Sequence, residues 1–139
     1  MQDRYLIDKS ALARWTKPNV KDALKPLHER YLLAVCQPTE YEVIHSARDS
    51  SEATRISTWL HAFDYLHTDD RAFARALEVQ RHALNAGFHR ALSLPDLLIA
   101  ATAELHRRAV LHYDGDFDMI ASLTGQPTEW VVSPGSADR

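Results

Sequence analysis

Acidic side chains stand in this sequence where strands of a parallel sheet would end and where helices would begin. Asp8 follows the first apolar run and Asp114 and Asp116 follow a later one, while Glu42 and Asp96 fall in the first turns of predicted helices. Carboxylates gathered at one place repel one another, which raises their pKa values unless a cation lies between them. Ligand sets made only of oxygen atoms favour Mg²⁺ or Mn²⁺. The chemistry that such a centre supports is in-line attack of metal-activated water on a phosphodiester.

Each acid also has a purely structural interpretation. Glu42 completes a Thr-x-x-Glu capping box that begins at Thr39, and Asp96 and Asp116 both suit the positive end of a helix. Asp8 is harder to explain in this way, because a carboxylate that ends a buried strand requires a partner. The hypothesis of a metal centre therefore rests on the occurrence of all five acids together.

The elements that must position these acids alternate between short apolar strands and amphipathic helices. We predict five strands, at Tyr5–Ile7, Leu32–Val35, Tyr65–His67, Ala109–Leu111 and Trp130–Val132. This order predicts an α/β protein with a central, mostly parallel sheet of four to five strands and helices on both faces. In such sheets the functional crevice lies beyond the carboxyl ends of the strands.

Local signals set the predicted limits of several helices. Asn19 is expected to cap the second helix, in which Pro26 should cause a kink or an early stop. A later helix should end at Gly87, and four of its residues share one face: Phe73, Leu77, Gln80 and Leu84. Asp96 opens a helix that precedes a strand, so it reaches the acidic edge only if the loop 87–94 brings the start of that helix back over the sheet.

Length, composition and charge restrict the class of protein. The 139 residues, 45% hydrophobic and 25% charged, have the composition of one globular domain. The apolar runs are far shorter than the ~20 residues of a membrane span. With no secretory signal and Cys36 as the single cysteine, we expect a reduced, cytoplasmic protein. The net charge of −3 offers nucleic acid no bulk attraction, although a metal-loaded acidic site would supply positive charge locally.

Four ordered motifs are similar to those of the PIN-domain ribonucleases, and most closely to the VapC-type toxins of bacterial type II toxin–antitoxin modules. The motifs that carry the resemblance read YLIDKSAL at 5–12, EYEVIHSAR at 40–48, PDLLIAATAE at 95–104 and VLHYDGDFDMI at 110–120. The similarity covers about residues 3 to 132. It implies a PIN-like three-layer α/β/α domain over residues 1–132, and the small, polar segment 133–139 is expected to be a flexible tail.

The resemblance also implies an activity, a cofactor and partners. The activity is that of a toxic Mg²⁺-dependent endoribonuclease, with Mn²⁺ as a substitute, that cuts structured RNA such as tRNA or ribosomal RNA. The partners are a cognate VapB-type antitoxin that occupies the active site, a second toxin chain in a homodimer, and both together in a hetero-oligomer. Carried over by position, the catalytic and metal-binding acids are Asp8, Glu42, Asp96 and Asp114, with Asp116 as a further metal ligand and Ser10 as a hydroxyl that orients Asp8 or a metal water.

The sequence departs from the family pattern at Lys9, where threonine is frequent, and at His112. His112 stands two residues before Asp114, where a hydroxyl is frequent, and it would support the metal site, contact phosphate or pack against the sheet. Glu40 lies about 200° around the helix from Glu42, so both cannot face the metal, and the register with the segment 46–48 favours Glu42. Early basic residues would track an RNA backbone or form a solvated helix face: Lys9, Arg14, Lys17, Lys21 and Lys25.

Other α/β classes also place an aspartate after the first strand. A phosphatase of the haloacid-dehalogenase type requires a second acid two residues after Asp8, and that position is Ser10. A receiver domain requires a lysine after its final strand, where this chain has Ser133 and Pro134. A catalytically weak PIN-fold module that binds RNA or protein stays open as the alternative, although it predicts missing acids.

Overall fold

Strands and helices alternate along the chain in the computed structural model, which describes residues 4–138. The strands are β1 (Tyr5–Ile7), β2 (Leu33–Cys36), β3 (Asp64–Leu66), β4 (Ala109–His112) and β5 (Thr128–Trp130). The helices are α1 (Lys9–Leu12), α2 (Pro18–Glu29), α3 (Gln37–His45), α4 (Ser50–Leu60), α5 (Asp70–Ala86), α6 (Leu94–Leu105) and α7 (Asp116–Thr124). A single 3₁₀ turn, His89–Ala91, joins α5 to α6.

The five strands form one sheet in the order β3-β2-β1-β4-β5, and every neighbouring pair is parallel. Leu6 of the central strand β1 pairs with Ala34 of β2 on one side and Val110 of β4 on the other. Because parallel strands end at the same edge, the residues that follow β1 and β4 become neighbours in space. The predicted mostly parallel sheet is confirmed.

Two hydrophobic cores lie on opposite faces of this sheet. Leu6 points into a core that it shares with α5, α6 and α7, where Ile99, Phe117 and Ile120 are fully buried. Ile7 points into the other core, which includes Val20 and Leu24 of α2, because successive side chains of a strand alternate between its faces. The resulting three layers confirm the predicted α/β/α architecture.

Several predicted helix starts are wrong by one or two residues. The second helix begins at Pro18, with Lys17 rather than Asn19 as its N-cap, because proline suits the first helical position. Pro26 does not stop this helix, which continues to Glu29. Burial of its apolar face offsets the hydrogen bond that the proline removes.

The predicted capping box at Thr39 is also wrong. Helix α3 begins two residues earlier, at Gln37, so Thr39 lies inside it and is fully buried. Its hydroxyl lies 3.6 Å from the sulfur of Cys36. Since Glu42 does not cap the helix, its carboxylate is available for another role.

The long helix α5 buries small residues and exposes large ones. Ala72, Ala76, Val79 and Ala83 face the core. Phe73, Leu77 and Leu84 are 53%, 56% and 54% exposed, so the face predicted for them points away from the core. Gly87 ends the helix in the left-handed conformation, with a φ of 87°, as predicted. Across residues 4–138, no helix has the length and apolar character required to cross a membrane.

The segment 133–138 lies against Arg14 in the turn after α1, against α2 and against Tyr113 after β4. Ala137 is buried, and its N–H donates to the hydroxyl of Tyr113 over 2.9 Å. That hydroxyl donates in turn to Asp138 over 2.6 Å, and Asn19 donates to the carbonyl of Ser136. The mobility expected of residues 133–139 stays a prediction, and the contacts define where residues 133–138 dock.

Candidate metal centre

Five carboxylate side chains meet in one cleft at the carboxyl edge of the sheet. Asp8 follows β1, Asp114 follows β4 and Asp116 begins α7, while Glu42 lies on α3 and Asp96 in the first turn of α6. The loop before α6 therefore brings the start of that helix back to this edge of the sheet, which is the condition under which Asp96 was expected to join the other acids. The cleft has a volume of about 430 Å³ and is lined by Asp8, Lys9, Ser10, Ala13, Arg14, Glu42, Ser93, Asp96, Tyr113, Asp114 and Asp116.

The carboxylates form two overlapping groups of three. One ligand oxygen from each of Asp8, Glu42 and Asp96 lies within 4.8 Å of the other two. The same holds for Asp96, Asp114 and Asp116. Asp96 belongs to both groups and is buried, so both groups lose a ligand if it is replaced.

Asp8 is held by the first turn of the short helix that it caps. Its Oδ2 accepts hydrogen bonds from the backbone N–H of Ser10 over 2.9 Å and from the Ser10 hydroxyl over 2.6 Å. The same hydroxyl accepts the backbone N–H of Tyr113 over 2.8 Å. Ser10 therefore joins the end of β1 to the end of β4 and fixes the orientation of Asp8. The other carboxylate oxygen of Asp8, Oδ1, is buried and has no hydrogen-bond partner in the described part of the chain.

Burial and mutual repulsion raise the pKa values of four of these acids. The pKa of Asp96 rises to about 8, because the side chain is buried and because Asp8, Asp114 and Glu42 add negative charge around it. Burial also raises the pKa of Asp8, against the hydrogen bonds from Ser10 that lower it. Burial followed by the charge of Asp8 raises the pKa of Glu42, and burial followed by the charge of Asp114 raises that of Asp116. The cleft therefore favours positive charge, as protons or as a cation.

The turn after β4 is built by hydrogen bonds that fix Asp114. Its Oδ1 accepts the backbone N–H of Asp116 over 2.9 Å, and its own N–H donates to Nδ1 of His112 over 3.1 Å. His112 is fully buried between Phe117 and Trp130, and burial lowers the pKa of its imidazole to about 4. A neutral, buried ring of this kind is not open to a phosphate, and it supports the backbone of the acid instead.

Glu40 and Glu42 point to different surroundings. Glu42 lies in the cleft, whereas Glu40 accepts hydrogen bonds from Ser57, Tyr65 and His61 at 2.8, 2.5 and 3.1 Å. Burial raises the pKa of Glu40, but these three bonds outweigh it and the pKa is lowered. Glu40 therefore ties α3 to α4 and to β3, away from the other carboxylates.

Replacing Glu40 by Gln should lower stability and leave any activity of the cleft within about twofold. The amide keeps the shape of the side chain but weakens bonds that favour a carboxylate, at a cost of about 1 kcal/mol. Thermal unfolding followed by circular dichroism measures the first effect and the initial rate of RNA cleavage the second. A loss of cleavage with unchanged stability would instead place Glu40 in the centre.

The residues of the cleft fit a hard divalent cation. All the candidate ligands are carboxylate oxygens, which Mg²⁺ and Mn²⁺ prefer, and neither sulfur nor imidazole belongs to either group of three. The buried Oδ1 of Asp8 has no donor among the residues that the structure describes, so it keeps a free lone pair inside the cleft. Carboxylates with raised pKa values regain their ordinary acidity when a cation lies among them.

Sequence reasoning did not single out three further parts of the cleft. Ser93 caps α6 by accepting the backbone N–H of Asp96 over 3.2 Å, and the pattern Ser-x-x-Asp at 93–96 is a signal that would have identified it. Tyr113 has no such signal except its place between two predicted site residues. Arg14 was predicted only as one of five basic residues, and no spacing in the sequence distinguishes it from the others.

Comparison with known proteins places this geometry in a family. The family model "PIN domain" matches residues 5–123. Ribonuclease VapC21 of Mycobacterium tuberculosis is 47% identical over 138 residues, which cover 99% of this chain and 100% of that protein. Ribonuclease VapC51 of the same species is 44% identical over 135 residues, which cover 97% of this chain and 98% of that protein.

Solved structures share the fold at low sequence identity. VapBC-1 from nontypeable Haemophilus influenzae superposes with a TM-score of 0.74 at 13% identity, covering 93% of this chain and 98% of that one. DNA-bound VapBC from Salmonella typhimurium gives a TM-score of 0.73 at 15% identity, with the same coverage of both chains. With the sheet order, the acidic cleft and the curated relatives all in agreement, the chain belongs to the PIN-domain family and, within it, to the VapC ribonucleases.

Proposed function

We propose that this protein is a metal-dependent endoribonuclease and the toxin of a type II toxin–antitoxin module. The observation that carries the proposal is the pair of carboxylate triads that share Asp96 in a cleft open to a polymer. The named relatives support the ribonuclease activity, since both are ribonucleases that match this chain over nearly their whole length. The acidic cleft supports dependence on Mg²⁺, with Mn²⁺ as a substitute.

Each residue of the cleft has a defined task in this proposal. Asp8, Glu42, Asp96 and Asp114 would hold the cation, and Asp116 would complete the second triad. A cation bound there supplies Lewis-acid neutralisation of the phosphodiester and lowers the pKa of water. Ser10 keeps Asp8 in one orientation, and His112 keeps the backbone of Asp114 in place. Asp8 and the turn that carries Asp114 are therefore held in place before RNA enters, which favours electrostatic preorganisation.

The partners of the protein follow from the same proposal. Structured RNA such as tRNA or ribosomal RNA is the substrate, and the site of action is the cytoplasm, where the single buried thiol of Cys36 stays reduced. The solved structures that share the fold include VapBC complexes, which supports a VapB-type antitoxin as the inhibitor. The exposed stripe of Phe73, Leu77 and Leu84 supports a homodimer, since contiguous apolar surface marks interfaces.

Removal of divalent cations should abolish cleavage of RNA. The purified protein is incubated with total tRNA and with ribosomal RNA in EDTA, in Mg²⁺ and in Mn²⁺, and the products are separated by denaturing electrophoresis. We expect a loss of at least about 100-fold in EDTA and recovery with either cation, because the carboxylates alone cannot neutralise the phosphodiester. Sequencing the new RNA ends then identifies the cleavage site.

Two results would contradict the proposal. Cleavage that persists in EDTA would remove the metal from the mechanism. Binding of RNA or of the antitoxin without cleavage in either cation would favour the alternative, a PIN-fold module that binds but does not turn over. The presence of all five carboxylates in one cleft argues against that alternative.

A further inference from the structure

Two cationic side chains line the acidic cleft, and they differ in what they neutralise. Lys9 lies near Glu42 and lowers the pKa of that acid, against the effects of burial and of Asp8. Arg14 has no such partner, because within residues 4–138 no carboxylate oxygen lies within 4.0 Å of its guanidinium nitrogens. An arginine beside five carboxylates that pairs with none of them requires an explanation.

Arg14 is held in place by neutral groups. Its Nε donates to the carbonyl of Ala137 and its Nη1 to the carbonyl of Ser10, both over 2.8 Å. Its Cζ lies 4.5 Å from the centre of the Tyr113 ring. A guanidinium has five N–H donors, so three remain, including both on Nη2, without a partner in the described chain. Carbonyls and an aromatic face fix the group but leave its full charge for an anion.

The C-terminal segment supplies one of the two hydrogen bonds that hold Arg14. Ala137 is buried, and its own N–H donates to the Tyr113 hydroxyl while its carbonyl accepts from Arg14. Asp138 accepts a hydrogen bond from the same hydroxyl. Arg14, Tyr113 and the segment with Ala137 and Asp138 are therefore joined by hydrogen bonds and ring contact at the edge of the cleft.

A tether for the chain end explains only one of these bonds. Tethering needs the bond from Nε to Ala137, and it explains neither the open donors nor the place of the guanidinium in the cleft. Neutralisation of the acids would require an ion pair, and Arg14 forms none with the residues at 4–138. What remains is an anion that comes from outside, and a guanidinium matches the geometry of phosphate oxygens well.

We propose that Arg14 binds a phosphate group of the RNA strand beside the scissile phosphodiester, and that Tyr113 and the chain end position it. This inference rests on the proposed function, because it requires RNA in the cleft. Arg14 is then a substrate-binding residue, while Tyr113 and Ala137 act through it as positioning residues.

Kinetics and binding test the role of Arg14 with a matched control. Lys25 is exposed on α2 and does not line the cleft, so Lys25→Gln removes the same charge elsewhere. Arg14→Gln should raise KM about tenfold with little change in kcat, and Arg14→Lys should lie between it and the wild type. In an Asp96→Asn background, which prevents cleavage, a fluorescein-labelled single-stranded RNA reports Kd. The slope of the logarithm of the binding constant against the logarithm of the salt concentration should become shallower by about 0.7 for Arg14→Gln. For Lys25→Gln the change in this slope should be smaller.

A double-mutant cycle tests the positioning residues. Tyr113→Phe keeps the ring and removes both hydrogen bonds to the chain end, and it should raise KM severalfold. In the Arg14→Gln background the same change should have no further effect on KM, because its action passes through the guanidinium. A loss of packing alone would add to the effect of Arg14→Gln, which would contradict the positioning role. A chain ended after Val132 provides a second variant with the same expectation.

The failure of this inference can be told from the failure of the proposed function. If the wild type cleaves RNA but Arg14→Gln behaves like Lys25→Gln, the inference is wrong and the function stands. If the wild type does not cleave but the salt slope still depends on Arg14, the function is wrong and the phosphate contact stands. An effect of Arg14→Gln on binding of the antitoxin alone, with none on RNA, would also overturn the inference.

Discussion

Asp96→Asn should lose about 1000-fold or more in kcat/KM for RNA cleavage, which corresponds to about 4 kcal/mol of transition-state stabilisation. Asp96 belongs to both carboxylate triads, so its loss weakens both at once. The amide has nearly the same volume and still fits the buried site, so the loss would come from the missing charge. Asp8→Asn should behave in the same way, although it also weakens the hydrogen bond with Ser10.

Glu40→Gln is the matched control for these variants, since it makes the same change of acid to amide on α3, outside the cleft. We measure initial rates at several Mg²⁺ concentrations and the binding of Mn²⁺ by calorimetry. The expected pattern is a loss of both cleavage and Mn²⁺ binding in the Asp96 and Asp8 variants only. Full activity in either aspartate variant would show that the cleft is not the catalytic centre.

The metal-free protein should become more stable as the pH falls from 8.5 to 6.5. The pKa of Asp96 is about 8 in the folded protein and 3.8 ordinarily, so in this range the folded state takes up a proton that the unfolded state does not. Stability therefore falls as pH rises, and the change for this one group is about 2 kcal/mol over the range. For a chain of this length the corresponding rise in Tm is about 5 °C.

The rise should become less steep below pH 6.5, because His112 acts in the opposite direction. Burial lowers the pKa of its imidazole to about 4, so the unfolded state takes up a proton between pH 6.5 and 4 that the folded state excludes. Thermal unfolding in EDTA between pH 5.5 and 8.5 measures both effects. In the Asp96→Asn variant, Tm should change little between pH 6.5 and 8.5. This variant should also be more stable than the wild type at pH 8.5.

Addition of Mg²⁺ should stabilise the protein most where Asp96 is charged. A concentration of about 100 times Kd adds about 2.7 kcal/mol, and protonation of the ligand competes with the metal at lower pH. The increase in Tm should therefore be larger at pH 8.5 than at pH 6.5. If Tm responds neither to pH in this range nor to Mg²⁺, the carboxylates do not act as one cluster.

The position of the acidic cluster could be predicted, because most of its members directly follow a strand or begin a helix in the sequence. Asp8 and Asp114 each follow a short buried strand, and in a parallel sheet all such positions share one edge. The helical period places Glu40 and Glu42 on different faces, so that only one can join the cluster, and the register with the segment 46–48 favoured Glu42. The structure brings Glu42 to the other acids and leaves Glu40 with Ser57, Tyr65 and His61.

The support of the cluster could not be predicted, because it depends on contacts between distant parts of the chain. The bond from Tyr113 to Ser10 joins residues 103 positions apart, and that from Arg14 to Ala137 joins residues 123 apart. A pattern of neighbouring residues in the sequence cannot indicate a contact between residues so far apart. The wrong helix start at Thr39 has a different cause. Pro38 favours the first turn of a helix, so α3 begins before Thr39, and the Thr-x-x-Glu pattern that predicted a capping box lies inside the helix.

The central place of β1 in the sheet has a consequence for synthesis on the ribosome. Asp8 and Glu42 are synthesised early, but the other three acids of the cleft lie at positions 96, 114 and 116, and β4 must insert beside β1 after the first half of the sheet has been made. A nascent chain of 90 residues holds two of the five carboxylates of the cleft and lacks both β4 and β5. The cleft therefore cannot assemble until β4 and the start of α7 have been synthesised.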